Sequence, residues 1–478
     1  MDEKLEEHLL EDYKNEEEHE EKDLKTRVWI ESKKLWEVVG PAAITCIANY
    51  TMNVVTQALA GHIGDVELAS MSVANSVILA FNYGLLLGMA TGLETVCGQA
   101  FGGKKYNMLG IYLQRSWVVL FLASILLLPL YIYATPILKF LGQPKDVAEL
   151  SGVLSIWFIP MHLGCVFQCS LQRFLLSQLK INAVAFISTV SLIIHVVISW
   201  LFVHYFQLGV IGATVALDIS WWISVLGMFV YTVGGWCPLT WNGFSMEAFS
   251  GLWEFLKLSV AAGIMFCLEF WYYRILILMA GNLKNATIAV DALSVCMSIN
   301  GWEIMIPFAF LAATGVRVAN ELGAGNGKAA KFAANVSLAQ SSILGIIFCV
   351  IIIIYHHQLA LIFSSSPDVT SAVDKLSYLL AFTILLNSVQ PVLSGVAIGS
   401  GWQSMVAYVN LGSYYIIGLP LGFVMGWVFD LGVEGIWCAM IFGGTAVQTG
   451  ILAIITIRRD WEKEARKALD RGQRCIAN

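Results

Sequence analysis

Charge is scarce in this sequence. Asp, Glu, Lys and Arg make up 13% of its 478 residues, against 58% hydrophobic, and the mean hydropathy is +0.71. A soluble domain is about a quarter charged, so this balance argues against one. The scarcity is also uneven. Residues 1–37 and 458–478 hold 32 of the 62 charged residues, which leaves only 30 for the 420 residues between them. No basic block lies in that central stretch, which disfavours a nucleic-acid binder, and 16 Trp with 25 Phe disfavour disorder. The ten Cys form no Cys-x-x-Cys pair, and Cys165 with Cys169 is the nearest approach to a cluster. A disulfide framework, a metal site and a bound cofactor are therefore not expected. The chain opens on acids rather than a basic segment and an apolar run, so no cleavable signal peptide is expected.

What the centre does contain is long apolar runs. A hydrocarbon core of about 30 Å needs about 20 apolar helical residues per crossing. Twelve such stretches follow one another, near 38–59, 68–93, 113–134, 154–176, 184–205, 210–233, 256–280, 288–312, 334–356, 376–399, 405–428 and 433–457. No alternating ten-residue pattern competes, so the spans read as helices rather than barrel strands. Lys and Arg of the short loops divide nine to four in favour of the side holding the termini, which predicts both termini in the cytoplasm.

The twelve spans fall into two similar halves. Leu59-Ala60-Gly61 recurs as Met279-Ala280-Gly281, and Thr91-Gly92-Leu93 as Thr314-Gly315-Val316. Pro144 matches Pro367, Gln168 matches Gln390, and Gly209-Val210-Ile211-Gly212 matches Gly432-Val433-Glu434-Gly435. Five ordered landmarks at offsets of 220–223 define two six-helix units. Because six is even, the units enter from the same side and are parallel repeats about an axis along the membrane normal. The expected fold is an all-α polytopic membrane protein, with two six-helix bundles related by a pseudo-twofold axis. Residues 1–30 are expected to be a disordered acidic tail, 31–235 and 236–457 the two lobes, and 458–478 a basic tail. The substrate cavity is expected between the lobes.

An ionisable side chain inside a span costs about 2.5–3.5 kcal/mol on insertion scales and so needs a reason. Asp218, Glu269, Asp291 and Glu303 are the acids expected within spans, and Arg274 the one base. Glu94 reads instead as a helix-end residue. At offset 220, Glu269 maps onto Asn49 and Asp291 onto Met71, so the first half has neutral groups at the positions of these two acids. Ion coupling is accordingly expected on Glu269 with Asp291. The competing reading makes Glu269 a structural partner of Arg274, although five residues put the two about 140° apart on a helix. Glu303 and Asp218 read as structural hydrogen-bonding groups. In the first half, Thr45, Asn49, Asn53 and Gln57 repeat every four residues, either facing a binding cleft or bonding between helices. Asn300, Asn387 and Gln390 are similar candidates in the second half. Trp271, Tyr272, Trp302 and Trp402 could stack on planar ligands or anchor at the membrane interface.

The stretches Leu93-Glu94-Thr95-Val96-Cys97-Gly98-Gln99-Ala100-Phe101-Gly102 and Val316-Arg317-Val318-Ala319-Asn320-Glu321-Leu322-Gly323, with Pro41 and Glu269, resemble the MATE (multidrug and toxic compound extrusion) family, plant-type DETOXIFICATION branch. The resemblance covers residues 30–457. It implies a two-lobed antiporter that expels organic compounds such as flavonoids, alkaloids or xenobiotics in exchange for protons. Acids of the second lobe would couple the proton, and the vacuolar or plasma membrane would be the location. Many eukaryotic members carry a second Glu five residues after the first in span seven. Arg274 stands there in this sequence, which sets Arg274 and Glu303 apart as candidate tuning residues. The expected partners are a small organic substrate, protons and the bilayer, with no nucleic acid, and the expected state is a monomer. A major-facilitator transporter is the runner-up, but the loop Cys97–Lys105 lacks the Asp-Arg-rich motif of that group. A lipid-linked sugar flippase would favour fourteen spans. A membrane enzyme is disfavoured because His195 stands alone in its span.

Overall fold

The computed structural model describes residues 24–280, 286–363 and 366–477, and no strand occurs among them. The helices of the first lobe are α1 (Leu24–Ile63), α2 (Asp65–Gly102), α3 (Tyr106–Ile132), α4 (Lys145–Trp157 and Ile159–Ser177), α5 (Ile181–Tyr205) and α6 (Gly209–Trp236). Those of the second are α7 (Leu252–Ala280), α8 (Ala286–Glu303 and Met305–Gly323), α9 (Gly327–Phe363), α10 (Pro367–Ser400), α11 (Gln403–Val428) and α12 (Gly432–Arg458). One more helix, α13 (Trp461–Ala477), follows. Eleven of the first twelve are long and apolar enough to cross a membrane as single helices. The two parts of α4 qualify together across a 48° bend. Pro160 explains the bend, because its ring has no N–H and crowds the carbonyl four residues earlier.

The repeat read from the sequence is visible in the backbone. Gln207 and Asp430 enter the α5–α6 and α11–α12 turns at φ 53° and 52°, and Gly209 and Gly432 leave them at 61° and 58°. Left-handed φ in those turns is what the matched glycines allow without Cβ strain. In both turns a second glycine, Gly212 or Gly435, lies under a leucine side chain, Leu208 or Leu431.

Leu86, Leu93, Leu113, Phe174 and Leu217 anchor the core of the first lobe, which continues into the second through Phe255, Phe310 and Val316. In the second, Tyr272, Leu293, Ile384 and Trp437 form one cluster, and Val318, Leu322, Trp402, Trp461 and Ala465 another. Leu122, Leu126, Ile193, Val197, Ile346 and Ile354 are exposed on the outer surface, as lipid-facing positions should be.

Both tails depart from expectation. Residues 24–30 belong to α1, where Arg27 lies over the Phe332 ring; residues 1–23 lie outside the described residues. The segment 461–477 is an amphipathic helix rather than a bare basic tail. Trp461, Ala465 and Ala468, spaced by four and three, are buried against the second lobe.

Candidate substrate cleft and proton site

On the side that carries the described termini, the lobes meet without a gap. The matched stretches of α2 and α8 make this contact. A Cβ on Gly102 would fall 1.9 Å from the Asn320 carbonyl, and one on Gly323 would fall 2.0 Å from that of Gln99. Only glycine lets the two backbones approach this closely. Side chains then bridge the lobes: Thr95 donates to the Ile398 carbonyl at 2.6 Å, and Gln99 to that of Gly399 at 2.9 Å. Arg317 of α8 forms two bonds with Glu31 of α1, at 2.9 and 3.0 Å, and one with Glu321 at 2.7 Å. Glu94 is fully buried and paired with Arg173 at 2.8 Å, which corrects its reading as a helix-end residue. Its other oxygen faces Gly315 of the opposite lobe, where a Cβ would come within 2.4 Å.

Elsewhere between the lobes α2 packs closely on α7, where a Cβ on Gly88 would fall 2.9 Å from the Ala262 carbonyl, and aromatic pairs add to the contact. Tyr50 of α1 meets Trp302 of α8 edge-on at 5.0 Å, and Phe81 of α2 meets Trp271 of α7 at 5.3 Å. Arg274 lies one turn beyond Trp271 on α7, and Tyr50 is its electrostatic neighbour. Asn53 and Gln57 are half-buried and share the Tyr50 stripe of α1. Asn49, one residue before Tyr50, is half-buried with its Oδ1 enclosed and unbonded.

Glu269 faces the other way, into the second lobe. It is half-buried with Gln390 of α10 beside it, and Tyr273 and Tyr414 are close enough to interact with its charge. Its Oε2 is enclosed and has no hydrogen-bond partner. Nearby on α10, Asn387 donates to the Asn300 Oδ1 of α8 at 2.9 Å, and Gln390 donates to Ser394 at 3.0 Å. Asn300, Asn387 and Gln390 thus gather in one polar cluster with Glu269.

The structure does not bring every expected residue into these two regions. Asp291 is exposed near the start of α8, and Gln390, not Asp291, faces Glu269. The reason is depth: Asp291 lies in the second turn of α8, whereas Glu269 lies about three turns from the Ala280 end of α7. Tyr272 does not line a cleft. It is fully buried, stacks on Tyr414 at 4.4 Å, and donates to the Met440 carbonyl at 2.7 Å. Met440 opens a π-helical stretch of α12. Trp402 donates to Glu464 of α13 at 3.0 Å and sits beneath that helix. Glu303 is buried, but neither carboxylate oxygen has the hydrogen bond expected of it. A cavity of about 760 Å³ between α2, α3 and α7 is lined by Leu85, Met89, Leu122, Leu126 and other apolar side chains, and holds none of the polar candidates.

Sequence reading missed Tyr50, the Glu94–Arg173 pair and the Glu31–Arg317 bridge. One signal was present. At offset 223 Glu94 maps onto Arg317, so both repeats place a charge where the lobes meet.

Twelve spans in two repeated bundles, closed at one side and meeting through aromatic and polar side chains, define a two-lobed membrane transporter. The MatE family model matches residues 41–201 and 261–424, and the chain belongs to the MATE family of transporters. It is 64% identical to Protein DETOXIFICATION 27 of Arabidopsis thaliana over 93% of this chain and 92% of that one. Protein DETOXIFICATION 28 of the same plant is 60% identical, over 96% and 94% of the two chains. The crystal structure of the eukaryotic MATE transporter AtDTX14 superposes with a TM-score of 0.89 at 34% identity, covering 93% of this chain and 99% of that one.

Proposed function

We propose that this protein is a secondary antiporter that moves organic compounds out of the cytoplasm in exchange for protons, with Glu269 as the proton-carrying group. The observation that carries the reading is the setting of that carboxyl: an enclosed oxygen without a hydrogen bond, in a span, among amides and tyrosines rather than beside a base. Such a group has no fixed counter-charge, so taking up and releasing a proton is its natural chemistry. Arg274, the competing partner, faces Tyr50 instead. Span one carries no acid between residues 38 and 59, so coupling does not run through an acid of that span. The excess of Lys and Arg on the terminal side supports cytoplasmic termini, and membership of the MATE family supports organic compounds as cargo. Secondary metabolites or xenobiotics as that cargo, and the vacuolar or plasma membrane as the location, complete the reading. The protein would act as a monomer, since each lobe supplies its own half of the path.

The test is uptake by proteoliposomes under separately imposed gradients. A pH gradient should drive transport and a Na⁺ gradient should not. Uptake that follows Na⁺ and ignores ΔpH would overturn the reading.

A further inference from the structure

Where the lobes meet through aromatic side chains there is a cation that no carboxylate among the described residues neutralises. Arg274 is exposed, and among the described residues no carboxylate pairs with it. Glu269, the nearest acid in sequence, is turned about 140° away on α7 and borders Gln390. Trp271, one turn earlier on the same face, packs on Phe81 of the first lobe, and Arg274 itself neighbours Tyr50 of that lobe. A guanidinium in a span is unfavourable unless it faces water or a counter-charge. The surroundings are specific as well: Tyr50 and Trp302 supply ring edges, while Asn53 and Gln57 supply amides on the Tyr50 stripe.

A planar, permanently charged fork beside rings and amides matches one kind of guest. We propose that Arg274 is a substrate-binding residue, and that the cleft selects aromatic compounds bearing a carboxylate or similar oxyanion. The guanidinium takes the anion through two parallel hydrogen bonds, the rings of Tyr50, Trp271 and Trp302 hold the aromatic body, and the two amides read its hydroxyl groups. A cationic guest meets like-charge repulsion at the same position. The proposal rests on the transport reading above and sharpens it to a substrate class.

The experiment measures equilibrium binding to the purified full chain at one fixed pH with no gradient, so that failure of proton coupling does not affect it. The probes are 4-hydroxycinnamate, its neutral methyl ester and N-methylpyridinium. Wild type should bind the carboxylate at least tenfold tighter than either of the others. Arg274→Gln should erase the difference between carboxylate and ester while leaving ester binding within about twofold. Arg274→Lys keeps charge without the planar fork, so it should still prefer the carboxylate over the cation, with at least threefold weaker affinity. A monodisperse elution profile qualifies each variant, and Arg274→Lys carries the test if Arg274→Gln fails to fold. Wild type that binds ester as tightly as carboxylate, or Arg274→Gln that keeps the preference, would overturn the proposal. The separate ΔpH-driven flux assay tells loss of antiport apart from loss of this specificity.

Discussion

Glu269 and Arg274 are five residues apart on α7 and serve different lobes, one bordering Gln390 and the other Tyr50. Helix geometry alone favoured that separation, and so the division was legible in the sequence. Tyr272 was not. Its type suits stacking on a ligand, but its direction is set by Tyr414 and by the Met440 carbonyl of α12, neither of which a local pattern reports. Glu94 was misread for a related reason. It looks like a helix end because Gly98, Gly102 and two lysines follow, yet α2 continues to Gly102 and buries it. Its pairing makes a definite prediction. Arg173→Met would leave the Glu94 carboxylate buried without its partner, and breaking a buried pair from one side costs about 3–5 kcal/mol. Thermal unfolding in detergent should register that loss. An unchanged transition would mean the pair contributes little to the fold.

At the scale of elements, the periodicity of the spans was legible, and so was the repeat, because insertion into lipid demands long apolar helices whatever their partners. The docked helix α13 was hidden by its charge. Seven bases and four acids between 458 and 478 dominate any local reading, whereas the apolar face of Trp461, Ala465 and Ala468 matters only once a surface exists to receive it. Glu464 fixes that docking. Burial opposes its charge, but hydrogen bonds from Lys467 and Trp402 outweigh this and hold its carboxyl below the ordinary 4.5. A carboxyl with a lowered folded-state pKa stabilises above its unfolded value and loses that contribution as pH falls through the folded value. Hydrogen exchange of α13 should therefore be slow at neutral pH and speed up as pH falls below about 4.5, and Glu464→Gln should flatten the dependence. Exchange that is equally slow in the variant at every pH would show that the carboxylate does not hold the helix. The α2–α8 contact gives a second element-scale prediction. Gly102→Ala places a methyl where the Asn320 carbonyl already sits, so the lobes cannot close fully on the terminal side. A cysteine introduced at Thr95 should then react at least tenfold faster with a membrane-impermeant thiol reagent applied from that side. An unchanged rate would mean the contact yields without opening.

For the molecule as a whole, the two lobes and their repeat followed from counting spans and matching landmarks. The surfaces the lobes present to each other did not. Tyr50 meets Trp302 and Phe81 meets Trp271 across 252 and 190 residues of sequence, and only the packed bundle aligns them. The central claim is that one carboxyl of the second lobe carries the proton. Glu269→Gln keeps the size and hydrogen bonding of that side chain and removes its titration. Because Arg274 does not depend on Glu269, the substitution strands no buried charge, and the unfolding temperature should stay near that of wild type. The decisive measurement is ΔpH-driven uptake by proteoliposomes containing this variant, with its thermal stability recorded on the same preparation. Uptake reduced at least tenfold in a protein of native stability is the predicted result. A stable Glu269→Gln protein that still transports at the wild-type rate under ΔpH would contradict the account.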